Sequence, residues 1–204
     1  LFHKSVFINC PFDEKYIELL RPLLFTVLYL DMVPRIALER LDAGEARFSK
    51  IVELIGACKY GIHDLSRAKA EKRDEYYRMN MPFELGLDIG AKLFGQVQLS
   101  GKITLILEEE RYRHQATISD LSNADIAVHG NEPEEVVKAV RDWLSHAANL
   151  RADGPSAIWG AFIEFMAHNY DALKQRGYSD KDIERLPIPE LIENMSIWTA
   201  ARRP

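Results

Sequence analysis

Short apolar runs alternate with longer stretches of helical apolar spacing through most of this 204-residue chain, and that alternation restricts the fold more than any other feature. Ser5 to Asn9 is a short apolar run closed by the turn Cys10-Pro11-Phe12-Asp13, and it reads as a buried strand. Pro34 to Glu39, Lys59 to Asp64, Lys102 to Leu107 and Asp125 to His129 read as further strands, with Lys102 to Leu107 the clearest. Between them, Ile17, Leu20, Leu24, Val27 and Leu28 mark a helix over Tyr16 to Leu30, in which Pro22 predicts a kink or a late start. Phe48, Ile51, Val52, Leu54 and Ile55 mark a second. A third runs from Pro82 to about Phe94 with Phe83, Leu87, Ala91 and Phe94 on its expected buried face. Pro133 to Leu144 closes the series, with Val136, Val137, Val140 and Leu144 at helical spacing. Strands and helices in this order give an α/β fold: a doubly wound, parallel, five-stranded sheet of flavodoxin-like order 2-1-3-4-5. Such a sheet binds ligands beyond the carboxyl ends of its strands.

The α/β domain is expected over residues 1–148, followed by a polar Gly-Pro linker over 149–155. A C-terminal helical appendage follows over 156–204, with an apolar stripe of Ile158, Trp159, Phe162, Ile163, Met166 and Tyr170. In it Ser179 and Asp182 resemble a capping box. The appendage is too small to fold alone and is expected to pack on the domain or to form a homo-oligomer or protein-partner contact.

Charge and cysteine usage narrow the function classes. The net charge is −5 and no block of five or six like charges occurs, so neither nucleic acid nor an acidic membrane surface is an expected partner. No apolar run approaches the roughly 18 residues of a membrane span, and no charged-then-apolar leader precedes Val6. Cys10 and Cys58 are the only cysteines and lack metal-ligand spacing, which fits a reducing cytoplasm. His3, His63, His114, His129, His146 and His168 are scattered, so no metal is expected. No Gly-rich dinucleotide or Walker-type loop is present, so no resident cofactor is expected either. Cys10 at the ligand edge lacks a phosphate-binding loop and reads as a small buried cysteine.

Glu84 is the leading site candidate. It lies in Asn80-Met81-Pro82-Phe83-Glu84-Leu85-Gly86, where Pro82 suits the first helical position and Asn80 can cap it. Gly86 and Gly90 would let this helix approach its neighbours closely. In the first turn the helix dipole would keep Glu84 ionised, ready to act on a developing cation. A plain capping glutamate is the competing reading. Asp88, one turn on, either raises the Glu84 pKa, holds a ribose hydroxyl or faces solvent. Asn9 and Asp13 follow the first strand, Glu39 and Arg40 the second, and Asp64, Ser66 and Arg67 the third, all at the ligand edge. Asn9, Asp13 and Asp64 are candidates for sugar contacts or for turn capping. Arg40, Arg47 and Arg67 are candidates for a diphosphate or for solvated surface charge. His63 points away from the pocket if Asp64 points into it, and so reads as a core histidine. Tyr76 and Tyr77 either stack on a base or pack the charged stretch Ala68 to Arg78 onto the domain.

With the first strand, the turn His63-Asp64-Leu65-Ser66 and the helix start Phe83-Glu84-Leu85-Gly86 in this order, the chain resembles the nucleoside 2-deoxyribosyltransferase and Toll/interleukin-1 receptor (TIR)-like superfamily over roughly Val6 to Leu144. Asp64, Glu84-Leu85-Gly86 and the acidic end of the strand over Lys102 to Glu110 stand where that family carries its site residues. The resemblance implies cleavage of an N-glycosidic bond, with Glu84 attacking or stabilising the anomeric carbon. TIR-like bacterial members cleave NAD at its nicotinamide–ribose bond, often in phage defence, which makes NAD a candidate substrate rather than a cofactor. A nucleoside or nucleotide deoxyribosyltransferase or hydrolase, and a non-enzymatic interaction or nucleotide-sensing module, stay open beside it.

Overall fold

The computed structural model describes residues 1–39, 44–67, 79–116, 118–122 and 124–202. Strands β1 (Ser5–Asn9), β2 (Val33–Ile36), β3 (Tyr60–Asp64), β4 (Ile103–Glu108) and β5 (Ile126–Val128) form one parallel sheet in the order β2-β1-β3-β4-β5. The expected topology is therefore the observed one. β1 and β3 are buried along their whole length, as central parallel strands must be when helices cover both faces. The second strand is shorter than its apolar run suggests, because Ala37–Glu39 turns into a 3₁₀ segment. Glu39 there accepts from the Arg35 guanidinium at 2.6 to 3.0 Å and from the amide of Ile36 at 3.3 Å, which closes the chain back on itself.

Side chains alternate across the sheet, and the two faces are filled differently. Val6, Ile8, Tyr60, Ile62, Leu105 and Leu107 meet α1 (Ile17–Tyr29) and α4 (Pro133–Ala147) in the main apolar core. Phe7 and Ile106 face the other way, toward α2 (Arg47–Ala57) and α3 (Asn80–Phe94), in two smaller clusters. Pro22 lies inside α1 without ending it. Thr26 donates its hydroxyl to the Pro22 carbonyl at 2.7 Å, within a turn that is wholly buried.

The C-terminal helices α5 (Pro155–Gln175), α6 (Asp180–Glu184) and α7 (Ile188–Ala200) add a further layer outside α1. Ile158, Phe162, Phe165, Leu191, Met195 and Trp198 belong to the same apolar cluster as the strand residues. Its junction is Phe25 of α1, whose ring lies 5.5 to 5.6 Å from those of Phe162, Phe165 and Trp198. The Ser179–Asp182 capping box is present at the start of α6. No helix among the described residues is long and apolar enough to cross a membrane.

Candidate functional site

α3 begins earlier and turns a different face inward than its apolar spacing suggests. Its N-cap is Met79, Asn80 is the first helical residue and makes no capping bond, and Pro82 stands third, still among the positions whose N–H has no helical partner. The buried residues are Met81, Glu84, Leu85 and Asp88, one continuous stripe. Phe83 and Phe94, expected inside, are exposed, and the Phe83 ring lies 6.1 Å from that of Phe48 of α2 between centroids. Gly86 and Gly90 are not close-approach positions, since a Cβ on either would meet open space. The close approach is at Gly61 of β3, where a Cβ would fall 2.3 Å from the Asp88 carboxylate.

Glu84 thus sits one turn deeper than a capping residue and is only 8 % exposed. Its carboxylate makes no hydrogen bond or ion pair among the described residues. Burial pushes its pKa above the ordinary 4.5, and the charge of Arg47 at the start of α2 offsets this in part. Desolvation rather than the helix dipole dominates, against the expectation of a dipole-stabilised anion. The Cys10 thiol, just beyond β1, is pushed well up first by burial and then by the carboxylates of Asp64, Glu84 and Asp13. These three acids therefore converge at the carboxyl end of β1. A thiol held protonated in this way is no nucleophile, in keeping with its reading as a buried cysteine.

The remaining acids divide into supporting networks on opposite faces of the sheet. On the α1 face, Asp64 accepts from the Tyr16 hydroxyl at 2.5 Å and from the Ser66 amide at 2.8 Å. The Ser66 hydroxyl and, at 3.1 Å, His129 Nε2 complete its shell. Burial alone would raise the Asp64 pKa, but His129, Ser66 and Tyr16 hold it below the ordinary 3.8. With no exposure and this shell of protein donors, Asp64 braces the site from behind instead of reaching a sugar. The amide of Asn131 donates to His129 Nδ1 at 3.1 Å, which leaves Nε2 as the protonated nitrogen. The single Nε2 proton is shared between the Ser66 hydroxyl at 2.9 Å and Asp64 at 3.1 Å, and that hydroxyl donates its own proton to Asp64, so the pair is not an activated serine nucleophile.

On the α3 face, Asp88 pairs with Lys102 at 2.9 Å and His63 at 3.0 Å, and accepts from Thr104 at 3.2 Å. It is 1 % exposed, so it does not face solvent, and the partners that surround it are protein groups. Lys102, equally buried, also donates to the last carbonyls of α2, at 2.8 Å to Ile55 and also to Cys58. It adds a donor to these helix-end carbonyls while pairing with Asp88. Asn9 spends both amide protons on protein, toward the Met81 carbonyl and His63 Nδ1, each at 2.9 Å. It too is behind the site.

At the mouth, Arg67 forks onto Asp13 with both contacts at 3.2 Å. Arg40, Tyr76 and Tyr77 lie outside the described residues. Sequence reasoning missed Tyr16 and His129, which stand at the ends of elements with no motif around them, and Glu108 with Arg113. Glu108 ends β4 fully buried, bound to Arg113 and, at 2.8 Å, to the Glu109 amide, while its second oxygen has no hydrogen-bond partner among the described residues. Arg113 also donates to the Ser66 carbonyl at 2.6 Å, tying the ends of β3 and β4 together. The acidic end of the fourth strand was the one signal that pointed there.

A hollow of about 830 Å³ lies elsewhere, at the opposite edge of the sheet, lined by Tyr29, Asp31, Arg151, Asp153, Trp198 and Arg202 among others. None of the converging acids borders it, so chemistry rather than volume locates the candidate site. Compared with protein-family models, curated proteins and solved structures, the chain matches none of them. Its function is argued from the site itself.

Proposed function

We propose that the chain cleaves the N-glycosidic bond of NAD or a related nucleotide, with Glu84 as the reacting carboxylate. The observation that carries this reading is a carboxylate at the carboxyl edge of a parallel sheet, 8 % exposed and without a hydrogen-bond partner among the described residues. A protein buries an acid in that state at a cost, and sites that do so are enriched in catalysis. In the reaction the bond between the anomeric carbon and the pyridinium nitrogen breaks, and its electron pair neutralises the nicotinamide ring. Glu84 attacks or electrostatically stabilises the carbon as positive charge develops on the ribose. Water then adds to that carbon and gives up a proton, leaving ADP-ribose.

Asp64 supports the choice of a cationic leaving group. Held ionised by His129, Ser66 and Tyr16, it has no proton to give a departing base. The Tyr16 hydroxyl, raised well above its ordinary value by burial and then by Asp64, keeps its proton. Nicotinamide leaves as a neutral molecule and needs no acid.

Incubation of the purified protein with NAD, with released nicotinamide followed by chromatography, tests the proposal. Glu84→Gln is expected to slow release at least about 100-fold. Equal rates for the two proteins, or no release from either, overturn it. Base release from nucleosides without NAD turnover reassigns the site to nucleoside substrates. Tight nucleotide binding without turnover, unchanged in Glu84→Gln, reassigns it to sensing.

A further inference from the structure

Between the end of β1 and the first turns of α3 runs a buried chain of polar contacts that the proposed chemistry does not use directly. Asn9 is 3 % exposed, and His63 and Asp88 are at 0 % and 1 %. The Asn9 amide nitrogen lies 2.9 Å from both the Met81 carbonyl and His63 Nδ1. A side-chain amide has two protons, and the carbonyl can only accept, so the second proton goes to Nδ1. His63 Nδ1 is then an acceptor, and Nε2 carries the ring proton toward Asp88 Oδ2 at 3.0 Å. Asp88 is anchored by Lys102, and the His63 ring is wedged edge-on against Phe7 at 5.8 Å. Each member therefore has one orientation, and the direction of every hydrogen bond is determined by the next.

Met81 lies three residues before Glu84, on the same inward stripe of α3. We propose that Asn9 is a positioning residue. Its amide, oriented by His63, ties the Met81 carbonyl to the end of β1 and thereby determines where the Glu84 carboxylate stands. The tether is a property of the fold; its effect on turnover rests on the reading of Glu84 as the reacting group. Two bonds oriented by one imidazole make the arrangement sensitive to the acceptor at Nδ1, and insensitive to the bulk of the ring. Asparagine in place of His63 puts an amide oxygen where Nδ1 stood, whereas glutamine reaches only the Nε2 position.

Hydrogen exchange at the amides of Phe83, Glu84 and Leu85, measured with NAD hydrolysis on the same samples, separates these cases. Asn9→Ser and His63→Gln are expected to lower protection of those amides about ten-fold while leaving β4 unchanged. In the active enzyme they lower kcat about 100-fold at unchanged KM. His63→Asn keeps both protection and kcat near wild type. Unchanged protection in Asn9→Ser overturns the proposal. So does a loss shared equally with β4, or the same loss in His63→Asn and His63→Gln. Reduced protection with kcat unaltered overturns the positioning of Glu84. If wild type releases no nicotinamide, the reading of the function fails, and the protection pattern still decides the tether.

Discussion

Three buried acids packed on the sheet are treated in opposite ways by their surroundings. Glu84 is pushed above its ordinary pKa by burial, whereas Asp64 and Asp88 are held below theirs despite burial, by His129, Ser66 and Tyr16 in one case and His63 and Lys102 in the other. A raised carboxyl pKa means that the folded state takes up the proton more readily than the unfolded chain. Glu84 therefore weakens the fold at neutral pH, and the penalty is relieved as pH falls through its folded value. Glu84→Gln is expected to raise unfolding free energy at pH 7 by about 0.5–2 kcal/mol in urea titrations while removing activity, the trade typical of a reacting group. The acidic limb of kcat/KM should lie above pH 4.5, the ordinary glutamate value. The two aspartates act with the other sign. Their stabilisation is present above their ordinary 3.8 and is lost as pH falls through the lower folded values. Asp88→Asn leaves Lys102 charged and buried, and is expected to cost about 3–5 kcal/mol by the same titration.

At the scale of elements, α3 shows how far apolar spacing reaches. Phe83, Leu87, Ala91 and Phe94 make one helical stripe and Met81, Leu85 and their acidic neighbours make another, about a third of a turn away around the helix. Hydrophobicity alone favours the first. The second is buried because Lys102 and His63, brought by other elements, pair with Asp88, while Leu87 and Ala91 remain partly covered at the α2 side. Glycine usage follows the same logic. Gly61 makes room for the Asp88 carboxylate, which its ion pairs prevent from swinging aside, so Gly61→Ala is expected to destabilise by about 1–3 kcal/mol. Gly86→Ala, within α3 and facing open space, is expected to stabilise by about 0.5–1 kcal/mol. Thermal denaturation of the two variants checks both signs.

Across the whole molecule, the helices after Asn149 share their apolar cluster with α1, α4 and the sheet. Trp143, Trp159 and Trp198 lie in α4, α5 and α7, so tryptophan fluorescence reports the helical side while far-UV circular dichroism reports all elements. The two unfolding curves are expected to coincide. Phe25→Ala, which empties the junction of three aromatic rings, is expected to cost about 3–5 kcal/mol in both signals together. Curves that separate would mean independent units. The sequence by itself determined the five strands, their order and the edge at which the acids gather, because alternation, helical spacing and turn residues are local signals. Which acid is left unpaired was decided only in three dimensions. Asn9, His63, Asp88 and Lys102 are far apart along the chain, and no local pattern records that Asp88 meets a lysine while Glu84, one turn away, meets none among the described residues.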